Sequence, residues 1–171
     1  VKKSAVPEHR DIALNILQET GKLGVGARAP GFSLYDRNQN LVKLSDFKGK
    51  YVYLDFWATW CIPCIKEMPA MAELKRKYEK DIVFISISID KDLNTMQKFL
   101  KKKKNFDWIF LYYGNYPEVK EMYNVLAIPV YFLIDPDGVI IQSPAYRPSG
   151  KIEETFINIS TGKKNKRKSY E

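Results

Sequence analysis

Apolar positions in this chain fall into alternating strand-like and helix-like blocks. Tyr51 to Trp57, just after Gly49, is a nearly continuous apolar run of the kind that forms a strand buried on both faces of a sheet, and Ile82 to Ile89 is a second. Residues 107–112 are another strand candidate. Phe32 to Leu34 and Leu41 to Leu44 flank the polar turn Asp36 to Asn40 and predict a hairpin; Val130 to Ile134 and Val139 to Gln142 do the same around Asp135-Pro136-Asp137-Gly138.

Helical spacing occupies the intervals. A helix is expected from Cys61 to about Glu79, with Met68, Met71, Ala72 and Tyr78 on its inward stripe and a kink at Pro69. Leu93, Met96 and Leu100 mark a helix capped by Asp90 or Asp92, and Asn115 to Tyr123 a short one with Pro117 in its first turn. Ile152, Phe156 and Ile159 mark the last, with Ser149 as its expected cap. Ile12, Ala13, Ile16 and Leu17 give residues 8–19 helical spacing, closed by Gly21, Gly24 and Gly26. The alternation predicts a layered α/β or α+β domain, with residues 1–27 as a helical appendage.

The 171 residues, 45% of them hydrophobic, suffice for one core, and no apolar run reaches the length that crosses a membrane. The chain begins at Val1, which reads as a mature or truncated fragment. Its net charge of +8 is uneven: residues 161–171 hold five basic groups against Glu171, and Lys101 to Lys104 form a second basic run. Neither run alternates with aromatics as a nucleic-acid groove would. They read as a disordered tail and a solvated helix end, and no nucleic-acid partner is expected.

Chemistry concentrates in Trp60-Cys61-Ile62-Pro63-Cys64, which contains both cysteines of the chain directly after the first apolar strand. Residues i and i+3 of a first helical turn lie about 5–6 Å apart, within reach of a disulfide. Cys61 would sit at the helix N-terminus, where free N–H groups and the macrodipole favour a thiolate, making it the nucleophile and Cys64 the buried resolving thiol. Pro63 fits the first turn, where a missing N–H costs nothing. A zinc site would need two more ligands, and the one histidine, His9, is distant in sequence; no metal is expected. A static structural disulfide would gain little from so short a loop.

Asp55-Phe56-Trp57-Ala58-Thr59-Trp60-Cys61-Ile62-Pro63-Cys64, Pro69, the Ile128-Pro129 step before a strand, and the final hairpin and helix together resemble the thioredoxin fold over residues 28–160. Within that superfamily the chain looks most like the TlpA/ResA-like thiol-disulfide oxidoreductases of bacterial envelopes. Leu44-Ser45-Asp46-Phe47-Lys48-Gly49-Lys50 after the first hairpin, Glu67 three residues beyond the second cysteine, and the inserted strand and helix near 107–123 carry this closer likeness. The resemblance implies an α/β, three-layer thioredoxin-like fold with a central mixed sheet, an N-terminal hairpin extension and an insertion before a cis-Pro loop. It also implies that Pro129 is cis, facing the thiols, with the Ile128 backbone free to pair with an extended substrate; backbone pairing would align a substrate disulfide with Cys61. It further implies a periplasmic or envelope location, with any membrane anchor outside this fragment.

Two acids are candidates for moving the resolving proton. Asp55 lies in an otherwise apolar strand, where burial should raise its pKa and suit it to act as a base on Cys64, and it matches the buried aspartate of thioredoxin. Glu67, at i+3 from Cys64, matches the glutamate of the ResA-like group. Trp60 is expected at the surface as an apolar contact for partners, beside Ile62 and Pro63, while Trp57 and Phe56 fit the core equally well. Ile62 and Pro63 between the cysteines add no cation or histidine to stabilise a thiolate, which favours a reductase of protein disulfides. Its partners would be a disulfide-containing protein and an upstream thiol donor, and its only redox group the Cys61–Cys64 pair, in a monomer. A disulfide oxidase or isomerase is the alternative reading. A peroxiredoxin-type peroxidase would need threonine at position 58 and proline at 54, where Ala58 and Leu54 stand. A binding module without chemistry would tolerate loss of Cys61.

Overall fold

The computed structural model describes residues 23–114 and 116–163. The helix expected over 8–19, Asn115, and all but the first three residues of the 161–171 tail lie outside them.

The elements run β1 (Ser33–Asp36), β2 (Leu41–Lys43), a 3₁₀ turn (Leu44–Phe47), β3 (Tyr51–Trp57), α1 (Ile62–Tyr78), β4 (Ile82–Ser88), α2 (Leu93–Lys101), β5 (Ile109–Tyr112), α3 (Glu118–Met122), β6 (Val130–Ile134), β7 (Ile140–Gln142) and α4 (Ile152–Ser160). The strands form one mixed sheet in the order β2-β1-β5-β4-β3-β6-β7. The two apolar runs pair in parallel at its centre, Tyr51 opposite Ile82 through Trp57 opposite Ser88. β6 lies antiparallel to β3 on one side; on the other, β5 continues the parallel set and joins the N-terminal hairpin through antiparallel pairing with β1. The inserted strand therefore links the hairpin extension to the central sheet.

Because successive side chains of β3 point to opposite faces, its apolar run feeds two cores. Val52, Leu54 and Phe56 pack with Leu34, Val119, Tyr123 and Phe132 under α3, while Tyr53 and Trp57 pack with Met68, Met71, Leu74, Met96 and Phe156 under α1, α2 and α4. Helices on both faces of a mixed sheet give the expected three-layer, thioredoxin-like architecture.

Some local expectations change. Leu44 belongs to the 3₁₀ turn, whose first turn Asp46 closes by accepting from the Lys43 amide at 2.8 Å. α1 buries Cys64, Met68, Met71 and Leu74, with Ala72 and Tyr78 at the core margin. Asp92 caps α2 by accepting from the Thr95 amide and hydroxyl, each at 2.8 Å, and Asp90 does something else. Ser149 does not cap α4. That helix starts after Lys151 without a side-chain cap, and Ser149, two residues earlier, donates its amide and hydroxyl to Glu67.

Candidate active site

β3 delivers the chain to α1 through Ala58, Thr59 and Trp60. This turn is held from β4: buried Asp90 accepts from the Thr59 amide with both oxygens at 3.1 Å, from the Thr59 hydroxyl at 2.7 Å and from the Ser88 hydroxyl at 2.6 Å. The Ile89 amide extends the β3–β4 ladder by one bond to Trp57 O, at 2.9 Å. Thr59, two residues before Cys61, is thus fixed by Asp90, just past the strand that pairs with β3.

Cys61 is the N-cap of α1, and Pro63 lies inside the first turn. Cys61 and Cys64 form a disulfide with Cα atoms 5.3 Å apart. The Cys64 amide points at the Cys61 sulfur, 3.2 Å away, so one of the N–H groups left free at the start of the helix faces that atom. Both cysteines are buried, while Trp60 and Ile62 beside them are 64% and 65% exposed. Trp57 and Phe56 are core residues. The Ile128–Pro129 peptide is cis, and Ile128 O lies 3.9 Å from Cys61 Sγ, so this loop borders the sulfur. A second cis peptide, Ser143–Pro144, begins the loop to α4; a lone Ser-Pro step carries no sequence signal for it.

Asp55 is 4% exposed on the α1 side of the sheet, between Ser86 of β4 and Tyr131 of β6 in register. Burial pushes its carboxyl up to about 7, partly offset by a hydrogen bond donated by the Ser86 hydroxyl. Glu67, half-buried on α1, spends both carboxylate oxygens on Ser149, accepting from its amide at 3.0 Å and its hydroxyl at 2.9 Å. The two acids converge on Tyr131, whose hydroxyl is pushed up by burial and then by the charges of Asp55 and Glu67. Among the described residues no group of three or more His, Cys, Asp or Glu side chains is arranged to hold a metal. What these groups can do is open and close a disulfide at a helix N-terminus, on a face of the sheet that also holds a buried ionisable acid.

Residues 24–154 match the model of the family described as Redoxin. The chain belongs to the redoxin family. Its relatives place it among the ResA/TlpA-like thiol-disulfide oxidoreductases of that family. It is 41% identical to the thiol-disulfide oxidoreductase ResA of Bacillus thuringiensis subsp. konkukian, over 71% of this chain and 69% of that one. It is 33% identical to ResA of Bacillus subtilis, over 68% and 65%. A crystal structure from Bacteroides vulgatus, described as a thiol-disulfide oxidoreductase, superimposes with a TM-score of 0.74 at 38% identity, covering 81% of this chain and 98% of that one. One from Chlorobium tepidum, described as the thiol:disulfide interchange protein DsbE, gives 0.70 at 32% identity over 80% and 96%. This redoxin is therefore a thiol-disulfide oxidoreductase of thioredoxin-like fold, of a family whose members work on disulfides and thiols.

Of the residues singled out in the sequence, the structure gathers Cys61, Cys64, Trp60 and the Ile128–Pro129 step at the start of α1, and places Asp55 within β3 and Glu67 against Ser149. Sequence reasoning missed Asp90, read only as a possible helix cap. An acid directly after a buried strand that pairs in parallel with the strand leading to the cysteines was the available signal.

Proposed function

We propose that this redoxin reduces disulfides of other proteins in the cell envelope. The observation that carries this reading is the Cys61–Cys64 disulfide at the N-terminus of α1, with Ile128 O beside the outer sulfur. In the dithiol form, the Cys61 thiolate attacks one sulfur of a substrate disulfide; a Cys61–substrate bond forms, the substrate bond breaks, and the departing sulfur takes a proton. Cys64 then loses its proton to a carboxylate and attacks Cys61 Sγ. The internal disulfide closes and the second substrate sulfur leaves as a thiol. Two electrons have passed to the substrate, and an upstream thiol protein restores the dithiol, so the pair itself is the only redox group required.

Asp55 is the acid we assign to Cys64: it is buried on the same side of the sheet, and its carboxyl, near 7, can accept and release a proton at neutral pH. Glu67 is assigned a second role, holding the loop at Ser149 against α1. Trp60, Ile62 and Pro63 offer the apolar contact for a partner, and the Ile128 backbone, before cis Pro129, pairs with its extended segment. An envelope location agrees with the resemblance to envelope oxidoreductases. The test is a Cys64→Ala variant incubated with disulfide-containing envelope proteins: a stable mixed disulfide through Cys61, absent in Cys61→Ser, is expected, and failure to trap any would overturn the mechanism.

A further inference from the structure

Asp55 is the end of a buried chain of hydrogen bonds that crosses three strands. The indole Nε1 of Trp108, just before β5, donates to Ser86 Oγ at 2.8 Å, and Ser86 in β4 donates to Asp55 Oδ1 in β3. All three residues are 5% exposed or less. An indole N–H only donates, so it occupies a lone pair of the serine oxygen and leaves the single hydroxyl proton directed at the carboxylate. Trp108 is itself fixed from outside the core. Arg37, in the turn of the N-terminal hairpin, donates through Nη2 to the carbonyls of Phe106 and Trp108, both at 2.9 Å, and lies over the Phe110 ring. The indole also packs against Phe110 in a tilted pair, with centroids 4.6 Å apart.

We propose that Ser86 and Trp108 are positioning residues that set the protonation of Asp55 through this relay, so that the hairpin extension and inserted strand serve the proton transfer as well as the sheet. This rests on the assignment of Asp55 as the proton acceptor for Cys64. A donor fixed on the carboxylate favours its ionised form and opposes burial, which alone would hold the acid protonated and unable to act as a base at neutral pH. Titratable groups on this side of the sheet include Tyr53 of β3, Tyr131 of β6, Cys61 before α1, Cys64, Glu67 and Tyr78 of α1, Asp90 after β4, Arg37 over the Phe110 ring, and Arg147 of the loop to α4, which acts on Tyr131. Each of these remains in place when the relay is cut at β4 or before β5, so a change in Asp55 on cutting it is attributable to the relay.

The experiment titrates Asp55 in the disulfide form of the full chain by carboxyl NMR of 13C-aspartate-labelled protein, and in parallel follows the pH profile of substrate release from the mixed disulfide in single turnover. Wild type is compared with Ser86→Ala and with Trp108→Phe, which keeps the aromatic pair. In both variants the Asp55 midpoint is expected to rise above about 7, further for Ser86→Ala, with the acid limb of the release profile following it. A midpoint higher by about one pH unit would slow release at pH 7 about five-fold, the deficit shrinking as pH increases. An unmoved midpoint in both folded variants overturns the relay. A midpoint that rises while the release profile stays put upholds the relay and overturns Asp55 as the acceptor from Cys64.

Discussion

A carboxyl group held at about 7 inside a protein costs stability whenever it is ionised. Asp55 ionises near 4 in the unfolded chain and near 7 in the folded one, so between these values the folded state holds a proton that the unfolded state has released. Stability therefore falls as pH rises from 4 through 7 and levels off above. The gap between the two midpoints corresponds to a penalty of about 4 kcal/mol at most. Asp55→Asn removes it: urea denaturation of the disulfide form should find the variant equal to wild type near pH 4 and more stable by about 2–4 kcal/mol at pH 8. Equal stability at both pH values would refute the raised value. Asp90 acts in the opposite sense, as the acceptor for the Thr59 amide and hydroxyl and for Ser88. Asp90→Ala leaves these buried donors unpartnered and should destabilise by about 3 kcal/mol in the same denaturation series. Asp55 was legible as the one charge in an apolar run. Ser86 was not, since serine within Ile85-Ser86-Ile87-Ser88 reads as ordinary strand, and its donor Trp108 lies 22 residues away.

At the scale of elements, periodicity located β3, α1, β4 and both hairpins, because each is an uninterrupted pattern bounded by glycine, proline or acidic turns. Contacts between elements were hidden. Ser149 looked like a cap from its place before an amphipathic stretch, yet α4 starts two residues later, after Lys151, and the Ser149 amide and hydroxyl both donate to Glu67 instead. This contact ties α1 to the loop that follows the cis Ser143–Pro144 peptide, and Tyr53 ties the same loop to β3 by donating to Tyr146 O at 2.6 Å. If Glu67 serves chiefly as a tether, a double-mutant cycle of Glu67→Ala and Ser149→Ala should give a coupling of about 1 kcal/mol, limited by solvent screening of a half-exposed carboxylate. Glu67→Gln, which keeps one acceptor oxygen, should retain most of the release rate that Asp55→Asn loses at pH 7. A Glu67→Gln variant as slow as Asp55→Asn would reassign the base.

For the whole molecule, strand order was the part least accessible to periodicity: no pattern of apolar residues says that β5 lies between β1 and β4, and only the resemblance of motifs in order supplied the architecture. That architecture bears on the redox potential, because among the described residues it brings one hydrogen-bonding amide and one helix end to Cys61 Sγ. Among the described residues no lysine, arginine or histidine is hydrogen-bonded to that sulfur. Moving a two-electron couple from about −250 to about −120 mV requires stabilising the dithiol form by about 6 kcal/mol. A helix N-terminus and one charge-assisted amide bond together supply about 2–4 kcal/mol, too little for a strong oxidant. The Cys61–Cys64 potential, measured by equilibration in dithiothreitol or glutathione buffers with thiol trapping, should therefore lie near or below about −250 mV. A value between about −120 and −180 mV would mean that the dithiol has stabilisation these contacts do not provide, and would replace the proposed reductase reading with that of an oxidase or isomerase.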